Sequence, residues 1–336
     1  MKVPEPRKLS SGNYFIQLRL NGQSIPITAE TATECKNIAE LTKAEYRAGK
    51  KAIKKLPKNI TLQGAMVKYI NEYRNTLSPS TVKAYLQYKD GRFVDYLNKP
   101  LKDIDWQKMI DSELEIASEK TVYNAWGLVR PSLKHVGYPV PSVRLAQVPV
   151  NEIAFLQPEE IKPFCEAIKG RNYEIAALLE LHGLRLSEMK ALDWKDIDLK
   201  NNIINVRGAY VNGPDGYVDK KTNKNKTSTR PVPIMIPQLS SALNAVQDKS
   251  GRVVDTCPSV LLRDVKRACK RAGVTEVTNH GLRHSMASLC FHLNIPMKQI
   301  QEWGGWKNSA TLEKIYIRLS ASAKTKHQQA FQNFFC

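Results

Sequence analysis

The chain has 336 residues, 42% hydrophobic and 25% charged, enough for roughly two or three domains with a real core, which excludes the disordered and fibrous classes. Lys and Arg number 51 against 32 Asp and Glu, and this net charge of +19 suits a long polyanion whose phosphates such side chains neutralise. No apolar run spans a bilayer, the start lacks a signal-peptide stretch, and the six cysteines are scattered without a CxxC pair, so a cytoplasmic chain with no membrane segment, disulfide framework or zinc site is expected.

Divided near residues 56 and 150, the chain carries +6, +4 and +9, so every segment is basic rather than one tail. In the first segment, Asn13 to Leu20 is β-rich, Asn21-Gly22 is a two-residue hairpin signal and Gln23 to Thr28 returns. Thr31 to Ala48 has helical spacing, with Thr33 as cap and Ile38 and Leu41 on one face. A three-stranded sheet with one helix is expected, followed by a linker holding Lys50, Lys51, Lys54, Lys55 and Lys58 around Pro57.

The second segment reads as a bundle of four or five helices. One starts at Thr61-Leu62-Gln63, is broken at Ser78-Pro79-Ser80, and gives way to a helix over Thr81 to Leu97. Pro100 to Trp106 reads as a loop with a new cap, and Glu119 to His135 as another helix; most of the interleaved aromatics are expected in the core. Tyr138 to Pro149, proline-rich together with the slightly earlier Pro131, reads as a connector. In the third segment, helices open at Pro158 and at Tyr173. Two β-rich stretches, Ile203 to Val206 and Arg230 to Ile236, flank a long polar loop, and helical patterns return from Pro258.

Four stretches of the third segment carry chemistry. In Leu181 to Met189, Gly183 ends a buried helix so that Arg185 can emerge into a cleft, Ser187 can cap the next helix, and Glu188 can pair with Arg185 or orient it. In His280-Gly281-Leu282-Arg283-His284, His280 and Arg283 share a helical face while Leu282, Met286 and Leu289 can be buried. Trp303-Gly304-Gly305-Trp306 is a glycine turn that delivers an indole donor, and Tyr316 follows ten residues later. Taken singly, each has an ordinary reading: an ion pair, a helix face, a turn, a core tyrosine.

In this order the stretches, written GLRLSE, HGLRHSMAS and GGWKNSATLEKIY, resemble the arginine and tyrosine boxes of the tyrosine recombinase (phage integrase) family over residues 152–320. The resemblance implies an α+β multidomain chain: an arm-type DNA-binding module of small β-sheet plus helix (1–56), a helical core-binding bundle with linker (57–150), and a mostly helical catalytic domain with a small antiparallel sheet and a C-terminal tail (151–336). By resemblance, Tyr316 is the nucleophile, Arg185 and Arg283 clamp the scissile phosphate, His280 and Trp306 hydrogen-bond to it, and His280 is the better candidate for proton transfer. Trp306 stands where the family usually has histidine. A hairpin lysine is the general acid; Lys224 and Lys226 both fit the loop before Arg230, Val232 and Pro233, and Lys224 is preferred.

These residue types suit the chemistry. Two guanidiniums offer bidentate donors to non-bridging phosphate oxygens in a way lysine cannot, and a phenol with a pKa near 10 needs help losing its proton as it attacks. An ester replaces an ester, so the step reverses without ATP. No carboxylate cluster stands beside these residues, and neither metal nor cofactor is expected. The implied partners are double-stranded DNA at core and arm sites and a tetramer of the chain on DNA passing through a Holliday junction, with a DNA-bending host factor and an excisionase as accessories. The tail, with Ala330, Phe331, Phe334 and Phe335, is expected to dock either on a neighbouring subunit or on its own domain. Two other readings remain at this point: a type IB topoisomerase-like relaxing enzyme, and a non-catalytic DNA-binding protein.

Overall fold

The computed structural model describes residues 3–20, 23–47, 60–149, 152–220, 229–322, 331–333 and 335 of a mixed α+β chain. Contacts divide it into two units, Met1–Tyr73 with Tyr88–Ala146 and Arg74–Gln87 with Gln147–Cys336. Among the described residues no helix is long and apolar enough to cross a membrane.

The first unit begins with an antiparallel sheet of β1 (Arg7–Lys8), β2 (Tyr14–Leu20) and β3 (Gln23–Ala29), in which Leu20 pairs with Gln23. The Asn21-Gly22 turn and the lysine-rich linker lie outside the described residues. Alternation along β2 and β3 sends Ile16, Leu18 and Ile27 inward, where Cys35 and Ala39 of α1 (Ala32–Arg47) cover them. The expectation for α1 is corrected twice. Thr31, not Thr33, caps it by accepting from the Glu34 N–H at 3.2 Å, and its buried face is Cys35–Ala39 while Ile38 is exposed.

The helical part of the first unit contains α2 (Leu62–Tyr73), α4 (Trp106–Leu114, capped by Asp105) and α5 (Glu119–His135), while most of α3 (Pro79–Gly91) is counted with the second unit. The helix break falls between Tyr73 and Pro79, and Pro79 itself opens α3 two residues before the expected Thr81, since a first-turn residue needs no N–H donor. That helix stops at Gly91, short of the expected Leu97. Phe93 adopts a left-handed φ of 56°, and its N–H is taken by the buried Glu113 carboxylate at 2.7 Å, a tertiary bond that ends the helix. Pro131 lies inside α5, within the expected Glu119–His135 helix. Its cost of about 3 kcal/mol is offset by buried residues such as Val122, Trp126, Val129 and Leu133, each worth about 1.5–3 kcal/mol. Phe93, Tyr96 and Trp126 are core as expected, but Tyr73 and Tyr123 are exposed.

The second unit is built on α6 (Pro158–Ile168), α7 (Glu174–Leu181) and the four-residue α8 (Leu186–Met189), then β4 (Ile197–Asp198) and β5 (Ile203–Val206). A hairpin of β6 (Ala209–Gly213) and β7 (Gly216–Lys220) follows, then β8 (Arg230–Pro233) and the helices α9 (Pro237–Ala245), α10 (Pro258–Ala272), α11 (Asn279–His292), α12 (Met297–Gly304) and α13 (Ala310–Ser322). Strands β4, β5 and β8 form one antiparallel sheet, with Ile204 opposite Val232 and Val206 opposite Arg230. Two small sheets therefore replace the one expected, and the first part of the "long polar loop" is the β6–β7 hairpin. Its turn, Gly213-Pro214-Asp215-Gly216, was legible as proline–aspartate–glycine turn chemistry. Helix α9, led by Pro237, is a second omission. Leu178, Leu179, Phe164, Leu261, Val265 and Leu282 are fully buried in the core against which α7, α10 and α11 pack.

Candidate active site

The apolar run of α7 ends at Leu181, and Gly183 turns the chain with a φ of +95°; a Cβ there would lie 3.2 Å from the Met286 side chain. Arg185 then precedes α8. Its backbone N–H donates to Glu188 Oε2 at 3.0 Å, so Glu188 satisfies the helix start and the expected Ser187 cap does not form. The Arg185 side chain turns the same way. Nη1 donates to Glu188 Oε1 at 2.6 Å and Nη2 to the Gly305 carbonyl at 2.6 Å.

Glu188 is 3% exposed and collects cations from three elements. Arg230 of β8 reaches both carboxylate oxygens, Nη1 to Oε1 at 3.2 Å and Nη2 to Oε2 at 3.0 Å, and Arg283 of α11 approaches Oε2 to 4.0 Å. Burial pushes the Glu188 carboxyl up, but hydrogen bonds and charge from Arg230, then Arg185, outweigh it and hold the group ionised below the ordinary range. Among the described residues, three guanidiniums face this one carboxylate, a surplus of two positive charges.

Arg283 is 1% exposed. Its Nη1 donates to the Gly183 carbonyl, and the Trp306 ring lies over the guanidinium with Cζ 4.0 Å from the ring centre. Nε and Nη2 have no hydrogen-bond partner among the described residues. A buried guanidinium with two unused donors is costly unless something anionic comes to meet it. Burial and then the Arg185 charge lower its proton affinity, yet arginine starts so high that it stays cationic.

The glycine pair of the turn has a steric cause. A Cβ on Gly304 would overlap the Trp306 ring, and one on Gly305, whose φ is +66°, would lie 2.6–3.0 Å from the Arg230 guanidinium. Arg230 Nε also donates to the Trp303 carbonyl at 2.8 Å, fastening the turn from beneath.

His280 stands one turn before Arg283 on α11 with its ring exposed. Partial desolvation, then the charges of Arg283 and Arg185, hold it below the ordinary histidine value, so it is neutral near pH 7 and able to accept a proton. Tyr316, on α13, is 48% exposed and packs edge-on against Phe291 at 5.3 Å. Phe291 lies eight residues beyond Arg283, about 12 Å along α11, and among the described residues Tyr316 makes no polar contact with the arginine cluster. Lys224 and Lys226 lie outside the described residues. Arg185, Glu188, Arg283 and Trp306 are thus brought together and His280 stands beside them, while no polar contact joins Tyr316 to them among the described residues. Arg230 stands in the sequence as the first residue of Arg-Pro-Val-Pro, and nothing local announces its burial against Glu188.

The model of the phage integrase family matches residues 154–323. The chain is 28% identical over 220 residues to the "Tyrosine recombinase XerC-like" protein of Caldanaerobacter subterraneus subsp. tengcongensis, covering 55% of each. It is 24% identical over 205 residues to the integrase of Salmonella phage P22, covering 58% of this chain and 51% of that one. It therefore spans about half the length of these curated relatives. Its fold is similar to that of the Tn1549 transposon integrase solved with transposon right-end DNA, with a TM-score of 0.63 at 17% identity over 80% of this chain and 99% of that one.

Proposed function

The chain belongs to the phage integrase family, and from that premise we propose that it is a site-specific DNA recombinase that cuts and rejoins strands through a 3′-phosphotyrosyl intermediate, integrating and excising a mobile element. The observation that carries this reading is Arg283, buried with two unmatched donors beside Arg185 in a centre of surplus positive charge. Such a centre is complementary to a phosphodiester, and more so to the transition state, in which charge on the non-bridging oxygens grows.

In this reading the scissile phosphate takes Nε and Nη2 of Arg283 and the outward edge of Arg185, and the Trp306 ring shifts so that its indole N–H can donate. The Tyr316 oxygen attacks phosphorus, the bond to the 5′ oxygen breaks, and the phenolic proton passes to the neutral His280. Lys224 or Lys226 protonates the departing 5′ oxygen. Residues 1–56 serve as the arm-type module, 57–150 as the core-binding domain and 151–336 as the catalytic domain. The chain acts as a tetramer, with a DNA-bending host factor and an excisionase as accessories.

A nicked suicide substrate carrying the element's core site tests the proposal. The parent protein should accumulate a covalent adduct, and Tyr316→Phe should bind DNA within about 3-fold of parent yet form none. Adduct formation with supercoil relaxation but no recombinants between two sites would move the reading to a relaxing enzyme. Unaltered activity in Tyr316→Phe would end the covalent mechanism.

A further inference from the structure

Arg185 is held by two bodies, the Glu188 carboxylate and the Gly305 carbonyl. Arg230 holds the same two bodies from the opposite, buried side. It grips both oxygens of Glu188, donates to the Trp303 carbonyl, and fills the space that a side chain on Gly305 would need. All three of its nitrogens are already engaged by Glu188 and the Trp303 carbonyl, whereas Arg283 keeps Nε and Nη2 unmatched for a phosphate. From this geometry we propose that Arg230 is a positioning residue of the recombinase site, fixing Arg185 through Glu188 and fixing Trp306 through the Trp303–Gly305 turn. The inference rests on the function proposed above and adds to it a residue with no direct role toward DNA.

The residue type follows from the task. A guanidinium presents a rigid fork that can engage a carboxylate with two nitrogens while its Nε reaches a carbonyl elsewhere. A lysine ammonium at the same depth gathers its donors on one atom and lacks the spread of the fork across both Glu188 oxygens and the Trp303 carbonyl. Arg230→Lys keeps the charge that neutralises Glu188 and loses the link between carboxylate and turn. Misplacement of a catalytic group by about 1 Å can cost about 100-fold in rate, and Arg185 and Trp306 are the groups that would drift.

The test uses the full-length chain and its core-site DNA, with Arg230→Lys and Arg230→Met beside the parent. Two quantities are read: DNA affinity across a salt series, and the single-turnover rate of covalent adduct formation on the nicked suicide substrate. Both variants should bind DNA within about 3-fold of parent with an unchanged salt slope. Adduct formation should slow by roughly 30-fold or more, with no rescue by lysine. A salt slope reduced by about one would make Arg230 a phosphate contact and overturn the proposal. Parental cleavage by Arg230→Lys would overturn it as well. Loss of DNA binding together with the thermal transition in both variants would assign Arg230 to folding alone, with the same result. If the parent forms no adduct, the recombinase reading itself fails and the inference falls with it, an outcome distinct from a variant that cleaves normally.

Discussion

Two glutamates eight positions apart, Glu180 inside the α7 core and Glu188 in the arginine cluster, are 1% and 3% exposed, yet their environments act on them in opposite directions. Neither carboxyl oxygen of Glu180 has a partner among the described residues, and burial pushes the group up to about 8. Glu188 suffers the same desolvation, but Arg230 and Arg185 reverse it. Burial alone therefore says little about what a carboxylate does; the cations brought to it decide. Glu180 is protonated at neutral pH and fills volume. Glu188 is ionised and holds together three elements distant in sequence.

Glu188→Gln attacks that difference most directly. Removing the one negative charge leaves three crowded guanidiniums, and the variant should lose about 3 kcal/mol of stability in chemical denaturation. Its adduct formation should fall by about 100-fold. A stability near parent would mean that the arginines tolerate one another without the carboxylate.

Gly305→Ala tests the turn that the cluster grips. The added methyl meets the Arg230 guanidinium at a positive φ, and a loss of about 2 kcal/mol is expected in the same assay. Full stability would show that Arg230 can retreat without cost.

The two glutamates should also leave opposite marks on pH dependence. Glu180 has a folded value raised above the ordinary 4.5, so its folded form is favoured at low pH, and stability is lost as pH climbs from about 4.5 through 8. Glu180→Gln should remove that loss and gain on the order of 2 kcal/mol over parent at pH 8 relative to pH 5, read from denaturant midpoints. Glu188 has a lowered folded value, so its contribution is present above 4.5 and disappears as pH falls through that lowered value. The same slope for Glu180→Gln and parent between pH 5 and 8 would contradict the contrast.

The smallest effect belongs to a second cationic cluster, built without a buried carboxylate. Tyr210 and Tyr217 stack at 5.1 Å on the β6–β7 hairpin, with Lys190 Nζ 4.7 Å from the Tyr217 ring centre and Arg252 Cζ 5.1 Å from that of Tyr210. Here positive charge is satisfied by ring faces, and Asp219 takes one edge of Arg252. Lys190→Met should cost about 1 kcal/mol in thermal or chemical denaturation. A loss several times larger would mark the hairpin as a more critical support than its contacts suggest.

Much of the molecule was legible locally. The α5 boundaries, the β2 and β3 strands, the proline-led start of α6 and the connector after α5 follow from periodicity, capping and turn chemistry, which need only near neighbours. The association of Arg185 with Arg283 followed from motif order through resemblance, and Glu188 followed from its three-residue spacing to Arg185. What went unread depends on partners far away in the chain. Phe93 leaves the helix because Glu113 takes its N–H, and α8 is started by Glu188 rather than Ser187 because the same carboxylate answers the arginines.

Composition and motif order by themselves determined a basic, multidomain chain with an arginine-pair and tyrosine signature, since charge, amphipathic period and residue chemistry are properties of the string. Tertiary structure alone decided that Arg230 lies buried against Glu188, that two donors of Arg283 remain unmatched among the described residues, and that the Tyr316 ring packs on Phe291. Those outcomes depend on which distant groups share one desolvated volume, where hydrogen bonds and charges are strong and an unpaired group is costly, and no local pattern encodes that neighbourhood.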